Sequence, residues 1–126
     1  MTATAQALAT VALAADAASQ KLATDLVALD VSDHMPLTDI FLLCSGRNER
    51  MVMSIADELE DTLGAQGIRK IRQEGRSLGR WILMDFGDVI VHIFHEEERL
   101  FYQLERLWRD CPVVPLPEAA HQVEES

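Results

Sequence analysis

Residues 80–95 read RWILMDFGDVIVHIFH, and the rest of the chain takes its place from them. Arg80 to Phe86 (RWILMDF) and Val89 to His95 (VIVHIFH) are apolar runs joined by Gly87-Asp88, which predicts a hairpin with a two-residue turn. Both runs are apolar on both faces, so the pattern predicts a sheet with helices covering both sides. Asp85-Phe86-Gly87-Asp88 also contains the letters of the kinase magnesium motif. A kinase would need a glycine-rich phosphate loop, a lysine strand and several times this length. The ordinary reading stands, with Asp and Gly chosen for the backbone of a turn.

Before the hairpin, Ile68 to Gln73 reads as an edge strand, its two isoleucines set among Arg69, Lys70 and Arg72. Arg47 to Leu63 reads as a helix with Met51, Val52, Ile55, Leu59 and Leu63 on one stripe, and Gly64 and Gly67 as its punctuation. Asp25 to Val31 (DLVALDV) and Asp39 to Cys44 (DIFLLC) read as strands around a turn from Ser32 to Thr38. Residues 4–22 predict an Ala-rich helix whose stripe is Ala5, Leu8, Ala12, Ala15 and Leu22. After the hairpin, a helix is expected from Glu96 to about Arg109, with Glu96, Glu97 and Glu98 in its first turn. Leu100, Leu104, Leu107 and Trp108 make its stripe, and Pro112, Pro115 and Pro117 stop it. The order αββαβββα predicts an α/β fold, a mixed sheet of about five strands with helices on both faces. One domain is expected over residues 1–110, followed by a proline-containing, flexible tail over 111–126.

The chain of 126 residues is long enough to bury a core without disulfides or a structural metal. Its 11 Lys and Arg against 21 Asp and Glu leave a net charge of −10, which argues against unspecific binding to nucleic acid or a membrane surface. That charge favours a basic partner or plain solubility, and by itself does not separate them. Cys44 and Cys111 form no C-x-x-C pair, which fits a reducing compartment. The N-terminus lacks the positive charge that precedes a secretory h-region. A soluble, cytoplasmic protein is expected.

Several constellations invite chemistry. His92 and His95 lie three apart on a strand, point to opposite faces and cannot grip one metal together. Cys44 lies on another strand and is free to approach His92, but two ligands do not make a site. No metal is expected. Ser45 lacks a G-x-S-x-G elbow, so a serine triad has no support. Asp30 with Asp39 is more pointed, since paired carboxylates at strand ends hold magnesium in nucleotidyl transfer. Asp39 behind Thr38 also reads as a turn device. Arg69, Lys70, Arg72, Arg76 and Arg80 surround a single acid, Glu74. They read first as a charged edge paired with the acidic helix before it, and second as a contact for nucleic acid backbone. Trp81 and Tyr102 stand off the apolar stripes, where large amphipathic aromatics serve either as interface anchors or as the rim of a core.

Together these blocks resemble a known family. Leu29-Asp30-Val31-Ser32, then Leu37-Thr38-Asp39-Ile40-Phe41 leading into Cys44-Ser45-Gly46, is similar to the ribosomal silencing factors, the Iojap family. So are Ser54-Ile55-Ala56-Asp57, Glu74-Gly75, the block from Trp81 to Phe94, and Phe101-Tyr102-Gln103-Leu104-Glu105-Arg106-Leu107-Trp108. The resemblance covers about residues 25–109, in order. It implies an α/β fold related to the nucleotidyltransferases but without their catalytic residues, no cofactor, and a homodimer when free. It implies binding to the large ribosomal subunit through its fourteenth ribosomal protein, which blocks the small subunit from joining and lowers translation when nutrients run short. Organelle relatives act in ribosome assembly, so a biogenesis role is implied as well. The partner face maps to the Trp81 strand, with Trp81, Ile82 and Asp85, and to Tyr102 on the last helix, with ribosomal RNA at most peripheral. The competing reading is a magnesium-dependent nucleotidyltransferase built on Asp30 and Asp39.

Overall fold

The computed structural model describes residues 2–102 and 109–117, with the side chains of residues 100–102 outside that description. Its centre is the hairpin of β4 (Trp81–Asp85) and β5 (Val89–His95), paired antiparallel from Trp81↔Phe94 to Asp85↔Ile90. Phe86 and Val89 close the turn, the Phe86 amide donating to the Val89 carbonyl at 2.9 Å. Gly87 has φ +91, a conformation only glycine adopts without strain, and its amide donates to Asp85 Oδ1 at 2.8 Å. The two-residue turn is as the sequence predicts.

β5 runs parallel to β2 (Ile40–Gly46), in register from Ile40↔Val89 to Gly46↔His95, and β2 pairs antiparallel with β1 (Thr24–Asp30). The edges are short. β3 (Arg72–Glu74) lies outside β4, and β6 (Val113–Val114) lies outside β1, giving the order β3-β4-β5-β2-β1-β6. Among the described residues the sheet therefore has six strands, against an expectation of about five. Residues 111–117, expected as the start of a flexible tail, carry the sixth: Val114 pairs with Ala28, and the Asp30 amide donates to the Pro112 carbonyl at 2.8 Å. Prolines flanking an edge strand break no ladder, so the segment whose prolines lie beyond the last helix still adds a strand. The edge expected at Ile68 to Gln73 is displaced to Arg72–Glu74, with Ile71 left exposed.

Helices α1 (Ala5–Gln20) and α2 (Glu49–Ala65) pack on each other and on one face of the sheet. Asn48 caps α2 by accepting the Met51 amide at 2.9 Å, and Val52, Ile55, Ala56, Leu59 and Leu63 are buried, close to the predicted stripe. In α1 the buried stripe matches the predicted one only at Ala15. Ala7, Val11, Ala14 and Ala18 face the core, while Leu8 and Leu22 are 42% and 64% exposed. Alanines let the helix approach the sheet and α2 closely, and they leave too little contrast around the helix for the buried face to be read. At its end Leu22 takes φ +64, with the Ala23 amide on the Ala18 carbonyl and the Leu22 amide on that of Ser19, the pattern of a Schellman cap.

The opposite face holds Leu29, Val31, Phe41, Leu43, Phe94 and Cys111, with Val27, Met35, Trp81 and Ile90 partly buried around them. Helices meet both faces, but unequally. Among the described residues this second face receives the start of α3 (Glu96–Tyr102), whose Arg99 Nη1 donates to Ser45 Oγ at 3.0 Å. The expected stripe residues Leu104, Leu107 and Trp108 lie outside the described residues.

Candidate partner-binding face

Strand alternation puts Trp81, Leu83 and Asp85 on the second face of β4, all half-buried, and sends Ile82 and Met84 into the helix-covered core. Ile82, expected with the partner face, is fully buried opposite Ile93, so its side chain is core. Leu83, not among the expected contact residues, shares this side with Trp81 and Asp85. The period of two along the strand points to it, since 81, 83 and 85 share one side.

Trp81 is held from several directions. Its ring stacks on Phe94, its partner across the hairpin, at 5.1 Å between centroids and 29° between planes. Its indole N–H donates to His92 Nδ1 at 3.2 Å, and His92 in turn meets the edge of Phe41 at 5.0 Å. Gly75 approaches the backbone so closely that a Cβ there would lie 2.0 Å from the Trp81 carbonyl oxygen, and its φ is +87. Two shallow clefts flank the ring. One of about 300 Å³ is lined by Gly75, Leu78, Arg80, Trp81 and Glu98, and one of about 250 Å³ by Glu74, Gly75, Trp81 and Leu83. Leu78, on the rim of the first, is 73% exposed. Asp85 sits at the far end of the row, one oxygen committed to the turn at Gly87. The backbone of α3 reaches Tyr102, whose side chain lies outside the description.

Charge surrounds this row. Arg80 donates to Glu49 at 2.9 Å, to Glu98 at 2.9 and 3.1 Å and to Glu97 at 3.1 Å, and these carboxylates, Glu98 foremost, hold it charged. Glu49 is held below the ordinary carboxylate range by its own backbone N–H and then by Arg80. Three other cations of the basic segment turn to acids as well. Arg76 pairs with Asp57 at 2.7 Å, Lys70 with Glu60 at 3.1 Å and Arg72 with Glu74 at 3.7 Å. Three of these contacts, counting Arg80 with Glu49, run to α2, the ordinary reading of the segment.

The remaining candidates are accounted for by structure. Asp30 accepts the Ser32 amide at 3.0 Å, the Ser32 hydroxyl at 2.6 Å and the Ala3 amide at 2.9 Å. Burial raises its pKa, but these bonds outweigh that effect and leave it lowered. Asp39 accepts the Thr4 amide at 2.9 Å. The two carboxylates thus tether the segment that leads into α1. Cys44 and His92 do not approach each other, because the parallel register sets Cys44 beside Ile93 and Leu43 beside His92, on opposite faces. Burial pushes the Cys44 thiol up to about 12, far from a reactive thiolate. Among the described residues no group of three or more His, Cys, Asp or Glu side chains is placed to hold a metal, and no helix is long and apolar enough to cross a membrane.

The family model described as ribosomal silencing factor during starvation matches residues 3–126. The chain belongs to the ribosomal silencing factor family. It is 45% identical over 104 residues to the ribosomal silencing factor RsfS of Halalkalibacterium halodurans, covering 82% of this chain and 89% of that one. For the protein of the same name from Bacillus subtilis the identity is 42% over 104 residues, covering 82% and 88%. A crystal structure of a Bacillus halodurans protein matches with a TM-score of 0.75 and 43% identity, over 84% of this chain and 96% of the other. A more distant relative in mouse, 29% identical over 71% of this chain and 40% of its own length, is named for mitochondrial assembly of the ribosomal large subunit.

Proposed function

We propose that this ribosomal silencing factor binds the large ribosomal subunit in the cytoplasm through its fourteenth ribosomal protein and sterically blocks the small subunit, so that translation falls under nutrient limitation. The observation that carries the reading is the half-buried row of Trp81, Leu83 and Asp85 on the sheet face opposite α1 and α2. A rigid aromatic beside shallow apolar clefts, ringed by carboxylates, suits a basic protein surface. The charge of −10 speeds encounter with such a protein and discourages wandering onto RNA. Nothing in this activity makes or breaks a bond. Tyr102 is proposed to add a contact from α3, and the free protein is proposed to be a homodimer.

The test is sedimentation of purified ribosomal subunits with and without the protein. Co-migration with the large subunit alone, together with fewer joined ribosomes, is the expected result. Failure to bind the large subunit would refute the reading. Binding without loss of joining would favour a role in assembly, the second reading, which the name of the mouse relative supports. Magnesium-dependent nucleotide binding lost in Asp39→Asn would instead revive the enzyme.

A further inference from the structure

A histidine in the middle of an aromatic cluster is an expensive choice. His92 is buried on β5 among Phe41, Phe94 and Trp81, where a phenylalanine would fill similar space with no polar atom to desolvate. What distinguishes the imidazole is Nδ1, which accepts the Trp81 indole N–H. An accepting Nδ1 puts the proton on Nε2, and Nε2 is buried with no hydrogen-bond partner among the described residues. Among the described residues this polar group is only half satisfied, a cost that points to a residue retained for something other than stability.

Trp81 stacks on Phe94 with 29° between the planes, and a stack of two rings fixes the plane of the indole far better than its rotation within that plane. The hydrogen bond supplies the missing constraint by tying the edge of the ring to the neighbouring strand. Register makes this possible. Trp81 pairs with Phe94 and Leu83 with His92, so indole and imidazole are diagonal neighbours on one face.

We propose that His92 is a positioning residue, which accepts the Trp81 indole N–H and thereby presents the ring preformed to the basic protein on the large subunit. The inference rests on the reading of Trp81 as a contact residue. It adds where the affinity comes from: a ring already ordered loses less freedom on binding than one that must be captured from several rotamers.

Two substitutions separate this role from simple packing. His92→Phe keeps the volume and removes the acceptor, whereas His92→Asn places a carbonyl oxygen near the position of Nδ1. The indole N–H resonance of Trp81, identified by its loss in Trp81→Phe, reports the bond directly. In His92→Phe it is expected to move upfield and exchange faster with solvent, with affinity for purified large subunits falling about five- to tenfold, as for loss of one hydrogen bond. His92→Asn is expected to recover much of both. A folded His92→Phe protein with wild-type affinity would overturn the proposal, as would an indole resonance that is the same in all three proteins. Should His92→Phe fail to fold, the wild-type imidazole nitrogen shifts decide: an unprotonated Nδ1 acting as acceptor supports the proposal, and a protonated one refutes it. If the wild type itself does not bind large subunits, the functional reading falls and the positioning role falls with it. If the wild type binds and only the His92 prediction fails, that reading stands.

Discussion

The two faces of the sheet are built from similar strands and end differently. On one, Ile40, Leu42, Ile82, Met84, Val89, Val91 and Ile93 meet α1 and α2 and are sealed from solvent. On the other, Phe41, Leu43 and Phe94 are buried, but Trp81, Leu83 and Ile90 are left half-covered and a histidine replaces a hydrophobe. The sealed face contains side chains that do nothing but exclude water. The half-open face contains rings whose orientations are fixed by one another and by a hydrogen bond. A domain this size needs one sealed core to fold, and is then free to leave its second face available.

Breaking the sealed face gives the largest effect. Leu59→Ala removes a fully buried side chain between α2 and the sheet and is expected to cost about 3–4 kcal/mol of stability, read by urea unfolding. Whatever remains folded is expected to bind ribosomes normally.

Acid attacks the other face. Burial brings the pKa of His92 down from 6.5 to about 4. Above pH 6.5 the residue is neutral in both folded and unfolded chains, and its contribution to the pH dependence is nil. Between 6.5 and 4 the unfolded chain takes up the proton and the folded one does not, so stability falls as pH falls, by roughly 3 kcal/mol in all. Asp30 acts in a lower window, its lowered carboxyl being lost as pH falls below about 4. Unfolding followed at pH 7, 5.5 and 4.5 is expected to show a steep slope in the wild type and a shallower one in His92→Asn. Equal slopes would mean that His92 protonates as easily in the fold as out of it.

The third test moves from stability to recognition. Trp81→Ala, which empties the centre of the half-open face, is expected to weaken binding to the large subunit by about 2 kcal/mol or more, as is Tyr102→Ala. Wild-type affinity in either protein would take that residue out of the interface.

How much of this contrast is legible in the sequence depends on the contrast each segment carries. The hairpin was readable, and so was its register: if Phe86 pairs with Val89 across Gly87-Asp88, Trp81 must pair with Phe94 and Leu83 with His92. The stripe of α2 was readable because Asp57, Glu60 and Asp61 mark the wet side. The face of α1 was not, because alanine surrounds it. β6 was not, because two residues have no period and the prolines beside them signal an end. The open face could be located but not furnished. Resemblance delivers β4 as a block and so took Ile82 with Trp81, whereas alternation assigns Ile82 to the core and Leu83 to the half-buried side with Trp81. The Asp30 and Asp39 pair left two readings open for a different reason: carboxylates at strand ends look alike whether they hold a metal or, as here, the backbone amides of Ala3 and Thr4.

The smallest effect sharpens the comparison from outside both faces. Leu22 ends α1 with φ +64, where a side chain crowds its own carbonyl, and its side chain is 64% exposed and lost from the core. Glycine meets the same Schellman geometry without that crowding, but it also makes the unfolded chain freer. The two terms oppose, and relief of the strained φ is the larger, so Leu22→Gly is expected to stabilise the protein by roughly 0.5 kcal/mol, read as a rise in Tm. Because α1 seals one face and does not touch Trp81, that gain should leave ribosome binding unchanged. A stabilising change at the helix end that also altered binding would mean that the two faces are coupled through the sheet.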